Sequence, residues 1–408
     1  MKKINLLAVA LGFAAMGCGG GADPASQRSK LAERGTGDIV VGAAWPWQAH
    51  KDVLYWQGME LALDEVNAAG GVGGRKLRIL RADDQESVDQ GRQVASEFAR
   101  NPEVVAVIGH LQSYVTVPAA AVYDLSGLVL LSATSTSPEL TSKGYRRVFR
   151  TIFTDDQVGR QMAEYAVRRG YKTFAIYYSR DEYGRGLANA FEEEALSRGG
   201  DVVNRQSYDP NLTTNRLAVE QTVQGWSDRS FDAVFIAGQD RQAALLAQEL
   251  RRKGIRAPIL GSDALATPVF LREGGAAAEG TVIATPYHPD APHPQARHFT
   301  QSFQSRFGTR PDVGAALGYD AVRLLAHAIG QAGSSDPEKV ATALHSVRGW
   351  QSVSGPVQFD AAGNLQGIPI AHVVVRDGRF EFLGDPDAAP ATAAAPAPAA
   401  DPNAAAAR

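Results

Sequence analysis

Short apolar runs alternate with amphipathic segments along most of the chain, and this alternation constrains the fold more than any other feature. Residues 39–44 read as a strand. The helix after it puts Met59, Ala62, Leu63 and Val66 on one face, and Gly70-Gly71 and Gly73-Gly74 stop it. A second strand follows at 77–82, then a helix carrying Val94, Ala95 and Phe98. Residues 104–108 are unbroken apolar, as in a parallel strand buried on both faces, and 128–131 follow after one more helix. The rhythm restarts at 174–177, with strands at 202–207, 233–237 and 259–260 separated by helices over 187–196 and 243–250. The stretch 286–369 is helix-rich, with 316–329 its clearest helix, and short strands at 357–359 and 370–375 close the body. Strand–helix alternation means parallel sheets covered by helices. Two runs of it predict an α/β chain of two doubly wound, parallel-sheet lobes.

Both ends differ from this body. Lys2 and Lys3 precede a short apolar run, 4–16, too short to span a bilayer with its own flanks. Ala15-Met16-Gly17-Cys18 then resembles the bacterial lipobox, and Cys18 is the single cysteine of the chain. The expectation is a lipoprotein signal peptide over 1–17 and a lipid on Cys18, giving a membrane anchor without a transmembrane helix. Residues 18–37 lack periodicity and read as a flexible tether. Residues 385–408, mostly Ala and Pro, read as a disordered tail.

Several function classes are excluded early. The 41 basic and 44 acidic residues leave a net charge of −3, without the basic surplus of a nucleic-acid binder. One cysteine allows neither an internal disulfide nor a Cys-based metal cage. Gly71-Val72-Gly73-Gly74 follows a helix rather than a strand, so it fails the nucleotide-loop context and reads as a turn. No Gly-x-Ser-x-Gly elbow occurs. His288, His293 and His298 are five apart and do not stack on one helix face. Asp83-Asp84 after a strand is either a cation ligand or a solvated strand end. Neither a nucleophile–base pair nor a metal set emerges, so no enzyme, cofactor or metal is expected.

Strand ends carry the better signal, because ligands of open parallel sheets sit beyond the carboxyl ends of strands. The strand at 104–108 runs into His110-Leu111-Gln112-Ser113 and a helix, and the strand at 128–131 runs into Ser132-Ala133-Thr134-Ser135-Thr136. Hydroxyls and free N–H groups there suit a carboxylate. In the second run, Ile259-Leu260-Gly261-Ser262 leads to Asp263, which suits an ammonium. Helix capping accounts equally well for Ser113, Thr136 and Asp263 on these grounds.

In this order the segments resemble the type I periplasmic solute-binding proteins of branched-chain amino acid ABC importers, the leucine/isoleucine/valine-binding family. The resemblance rests on Val40-Val41-Gly42-Ala43, Gly58 at its spacing from that strand, Asp64-Glu65-Val66-Asn67-Ala68-Ala69-Gly70-Gly71-Val72, Val107-Ile108-Gly109-His110-Leu111, Ser137-Pro138-Glu139-Leu140-Thr141 and Tyr183-Gly184-Arg185-Gly186-Leu187. It covers nearly all of 38–384. It implies two lobes joined by three hinge crossovers, 38–154 with 286–369 and 155–285 with 370–384. It implies that Ser113 and Thr136, with Thr134 and Ser135 beside them, bind a ligand carboxylate. Asp263 would bind the ammonium, and Tyr183 and Gln239 would line the second lobe. Trp45 and Trp47 replace the family's small, Gly-rich first loop. They would stack on the ligand, shrink the pocket or pack away from it.

The function so implied is capture of an amino acid, amide or aromatic acid in an inter-lobe cleft, without catalysis. Delivery would be to ABC permease and ATPase subunits, from a lipid-anchored monomer in the periplasm or on the cell surface. A sensory module feeding a signalling partner uses the same architecture.

Overall fold

A computed structural model describes residues 23–210, 216–291 and 293–383. The expectations for the signal peptide, Cys18 and the tail at 385–408 lie outside the described residues. Helix α1 (Pro24–Arg34) leads into β1 (Ile39–Trp45), α2 (Tyr55–Ala68), β2 (Leu77–Asp83), α3 (Val88–Arg100), β3 (Val104–Gly109), α4 (Ser113–Leu125), β4 (Val129–Ser132), α5 (Glu139–Ser142) and β5 (Val148–Arg150). These five strands form one all-parallel sheet in the order β2-β1-β3-β4-β5. Every residue of β1, β3 and β4 is buried, as their continuous apolar runs require, while the edge strand β2 is only partly covered. Helix α3 turns Val94, Ala95, Phe98 and Ala99 onto the sheet and is capped by the Ser87 hydroxyl.

The chain then builds α6 (Asp155–Arg168), β6 (Thr173–Ser179), α7 (Glu182–Ser197), β7 (Asp201–Tyr208), α8 (Arg216–Trp226), β8 (Ala233–Ala237), α9 (Asp240–Arg252), β9 (Ile259–Gly261), α10 (Pro268–Gly274) and β10 (Val282–Thr285). It returns to the first sheet with α11 (Pro294–Phe307), α12 (Val313–Ala332) and α13 (Pro337–His345). A small antiparallel sheet follows, of β11 (Trp350–Ser352), β12 (Gly355–Phe359) and β13 (Leu365–Gln366). The hairpin β14 (Ala371–Arg376) and β15 (Arg379–Phe382) crosses back and pairs antiparallel with β10. The second sheet therefore runs β15-β14-β10-β9-β8-β6-β7. The chain passes between the sheets three times, after β5, β10 and β13.

Gly58 shows why α2 lies close to α12. A Cβ there would stand 1.9 Å from the Ala315 carbonyl oxygen, so only glycine permits this approach. Gly71 to Gly74 form the expected turn, closed by the Val72–Arg75 bridge.

One expectation needs correction. Lack of periodicity over 18–37 predicts a tether, yet Pro24–Arg34 is helical, with Asp23 as its N-cap and Gly35 left-handed at its end. The cause is Arg28, 1 % exposed. Its guanidinium donates to the carbonyls of Val104 (2.6 Å), Ala99 (3.0 Å), Ser126 (3.2 Å) and Asn101 (3.3 Å). The Ala99, Asn101 and Ser126 oxygens sit at the C-terminal ends of α3 and α4, where a cation is favoured, and that of Val104 opens β3. Ser29 adds a hydrogen bond to Asp336 at 2.9 Å.

Candidate functional site

The C-terminal ends of six strands converge on the gap between the two sheets. In each sheet the inner pair of ends flanks the point where strand order reverses, between β1 and β3 and between β6 and β8. A cavity of about 110 Å³ lies there. A single water needs only about 10–15 Å³, and about 150 Å³ holds a benzene ring, so the space suits a small organic molecule.

The first sheet contributes Trp45 from the end of β1, Ser113 from the start of α4, and Thr134 and Thr136 from the loop after β4. The second contributes Tyr183 from α7, Gln239 from the loop after β8 and Asp263 after β9. Much of the remaining wall is apolar, with Val53, Leu111, Ala266, Pro268, Val313 and Leu317.

Capping does not account for the two hydroxyls. Gln112 holds the N-cap position of α4, without a side-chain cap bond, and Pro138 holds that of α5. Ser113 Oγ instead accepts from Ser135 Oγ at 3.1 Å and from Ser137 N at 3.4 Å. Asp263 accepts from Ser262 Oγ at 2.5 Å. Burial pushes its carboxyl up to about 6, against the hydrogen bonds from Ser262 and from the backbone N–H groups of Asp263 and Ala264. A cation placed in the cavity would restore its charged form. Burial also holds the Asp155 carboxyl well above the ordinary range, beside Thr136 and Asp263.

Two of the nine expected ligand residues do not reach the cavity wall. Ser135 is fully buried behind Ser113 and acts as its hydrogen-bond donor. Trp47 turns away: its indole N–H donates to the Ala82 carbonyl at 2.9 Å, and its ring packs edge-on against Trp56 beside the Arg81 guanidinium. Trp45 stays at the wall because Tyr55 stacks on it at 3.9 Å.

A buried network fixes the first-sheet loops. His110 Nδ1 bonds Asp84 Oδ2 at 2.7 Å, and Nε2 bonds the Tyr123 hydroxyl at 3.0 Å. All three side chains are essentially inaccessible. The His110 carbonyl accepts from Thr134 Oγ1 at 2.9 Å, which ties the β3 and β4 ends together. Asp84 is therefore neither a cation ligand nor a solvated strand end. Nearer the rim, Glu86 accepts from His50 at 2.5 Å and from Gln112 at 2.9 Å. Burial works to raise the Glu86 carboxyl, and these bonds outweigh it and hold it below its ordinary value.

Sequence reasoning missed His50, Leu111, Asp240, Thr267, Asp312 and Leu317 at the wall. Asp312 carried a legible signal, an Asp before a long helical run. It caps α12 through Ala315 N at 2.7 Å and also accepts from Leu54 N at 3.0 Å. The others arrive by tertiary packing. Among the described residues no group of three or more His, Cys, Asp or Glu side chains is arranged to hold a metal. No helix among them is long and apolar enough to cross a membrane.

Comparison with known proteins agrees with this geometry. The family model described as "Periplasmic binding protein" matches residues 49–379. An amino acid binding protein of Pseudomonas aeruginosa is 29% identical over 342 residues, 82% of this chain and 90% of that protein. A Leu/Ile/Val-binding protein homologue of Brucella suis is 29% identical over 356 residues, 85% of this chain and 93% of that protein. The solved structure of an ABC transporter substrate-binding protein from Desulfitobacterium hafniense, in complex with Leu, is 36% identical, with a TM-score of 0.76. It covers 85% of this chain and 100% of its own. With two lobes of parallel sheet, a cavity between their strand ends and a family match over most of its length, the chain belongs to the periplasmic binding protein family.

Proposed function

We propose that this chain is the extracytoplasmic substrate-binding component of an ABC importer, and that it captures an α-amino acid, or a related small carboxylate, between its lobes. The observation that carries the reading is one cavity with hydroxyls on one wall, a carboxylate on the other and apolar side chains between. Ser113 and Thr136 bind the carboxylate at the N-terminal side of α4. Asp263 binds the ammonium, Tyr183 covers it, and Trp45 with Leu317 bounds the side chain. The likeness to proteins named for amino acid and Leu/Ile/Val binding, and to a structure in complex with Leu, supports this choice. The ligand docks on the first lobe, and rotation about the three crossovers then brings Asp263 onto it and expels water. Charge-assisted bonds are stronger in such a dry site than in solution.

The family is a non-enzymatic component of transport, and the cavity is read as a binding site only. The chain acts as a monomer, anchored by a lipid on Cys18, and hands its ligand to permease and ATPase subunits. Uptake of radiolabelled amino acids tests the reading in cells lacking this chain, complemented with it or with Asp263→Asn. Restored uptake by the parent chain alone is expected. Equal uptake with either chain, or with neither, would contradict it.

A further inference from the structure

A second chamber of about 190 Å³ adjoins the first and shares His50, Gln112, Gln239 and Asp240 with it. Between the two, Gln239 Nε2 faces Gln112 Oε1 across the lobes at 3.4 Å, a long and weak contact. The rest of its wall includes Glu86, Tyr114 and Asp181. Asp181 is 6 % exposed. Its Oδ1 is used: it accepts from Gly184 N at 2.8 Å, capping α7, and from Ser179 Oγ at 2.9 Å. Its Oδ2 is buried and has no hydrogen-bond partner among the described residues.

A buried carboxylate oxygen without a donor is costly unless something fills the place. The surroundings select what that is. Glu86 is already bonded by His50 and Gln112. Asp240 Oδ2 accepts from Thr267 at 2.7 Å. Among the described residues Arg241 is the one guanidinium on the wall, and it is turned to Glu273 at 2.8 Å. The chamber thus presents a carboxylate excess, with one acceptor open among the described residues, and shares part of its wall with the first cavity.

Resting on the amino acid reading above, we infer that the cleft takes an amino acid whose side chain ends in a cation, an ammonium or guanidinium, and that this end passes between Gln112 and Gln239 to Asp181. The α-carboxylate and α-ammonium stay on Ser113, Thr136 and Asp263. The aliphatic stem lies along the apolar wall of the first cavity, and the Gln112–Gln239 contact opens to admit the tail. A guanidinium suits the place, being weakly hydrated and rich in donors.

The test is calorimetric titration of the full chain in detergent, refolded from denaturant to remove carried-over ligand. The probes are arginine and its neutral isostere citrulline, with leucine as reference, against the parent chain and Asp181→Asn. Asparagine keeps an oxygen for the α7 cap, so folding and leucine affinity should hold within about twofold. The expected result is arginine at least tenfold tighter than citrulline on the parent chain, with the preference falling to about unity in Asp181→Asn and arginine displacing leucine. Equal affinity for arginine and citrulline on a parent chain that binds leucine overturns the inference and leaves the amino acid reading standing. Arginine binding that does not displace leucine overturns it as well, by showing separate sites. Failure of all three to bind overturns both.

Discussion

Replacing Asp263 by Asn removes the charge proposed to hold the ligand ammonium while preserving shape. Burial pushes this carboxyl up to about 6 from an ordinary 3.8. At about 1.36 kcal/mol per pH unit, keeping it ionised at neutral pH in the empty cavity costs up to about 3 kcal/mol. The side chain faces the cavity, and solvent relieves part of this, so about 1–3 kcal/mol is the working range. A bound ammonium recovers that cost and adds a charge-assisted hydrogen bond. Asp263→Asn should therefore weaken amino acid binding by about 2–4 kcal/mol, thirtyfold to a thousandfold, in line with loss of one partner from a desolvated charge pair. Calorimetry across pH 5 to 8 reads this directly. For the parent chain the dissociation constant should rise about tenfold per pH unit below pH 6, because the ligand must then displace a proton. For the variant it should be flat. The unliganded protein should show the opposite sign in stability. The folded-state value lies above the unfolded one, so the parent chain gains stability as pH falls from about 6 to 4 and loses it as pH rises through that window. The variant should lose the Asp263 share of this dependence, keep that of the other buried carboxyls such as Asp155 and Asp320, and melt higher at pH 7. An Asn variant binding within threefold of the parent at pH 7.5 would refute the reasoning.

Three further outcomes follow from the geometry. Ser113→Ala should cost about 1.5–3 kcal/mol in affinity for any carboxylate ligand, the range for a hydrogen bond to a charged group, with a far smaller change in melting temperature; calorimetry and thermal denaturation separate the two. Asp84→Ala leaves His110 buried without its carboxylate and should destabilise by about 3–5 kcal/mol in urea titration, with ligand affinity falling too because Thr134 leans on the His110 carbonyl. Arg28→Ala should release α1, so that trypsin cuts after Lys30 and Arg34 at least tenfold faster while the lobes melt nearly unchanged.

The lobes were legible because βα patterns are local. The short apolar runs of β1, β3 and β4, set between helical patterns, fit strands buried on both faces, and the polar residues directly after β3, β4 and β9 fell where open sheets place ligands. What sequence could not carry was direction and distance. Trp45 and Trp47 are two residues apart and so share a strand-like side, yet the turn after β1 sends Trp47 to the Ala82 carbonyl and leaves Trp45 at the wall. Asp84 and His110 lie 26 residues apart and meet because β2 and β3 both run parallel to β1 and end at the same edge of the sheet, so neither looked like half of a pair. Arg28 lies among polar residues that suggested a tether, and its partners are backbone carbonyls, which leave no trace in side-chain pattern. Asp181 lies two residues before the Tyr183-Gly184-Arg185-Gly186-Leu187 segment and carries no sequence signal of its own, and only the fold shows that one of its oxygens has no partner among the described residues.

The central claim is that the cavity between the lobes holds a zwitterion. Its most direct measurement is calorimetric titration of the refolded chain with the twenty amino acids, and with benzoate-type acids that lack an ammonium. Saturable one-to-one binding of at least one amino acid, abolished or weakened at least thirtyfold by Asp263→Asn, is the expected result. Binding of the ammonium-free acids alone, with Asp263→Asn indistinguishable from the parent, would contradict it.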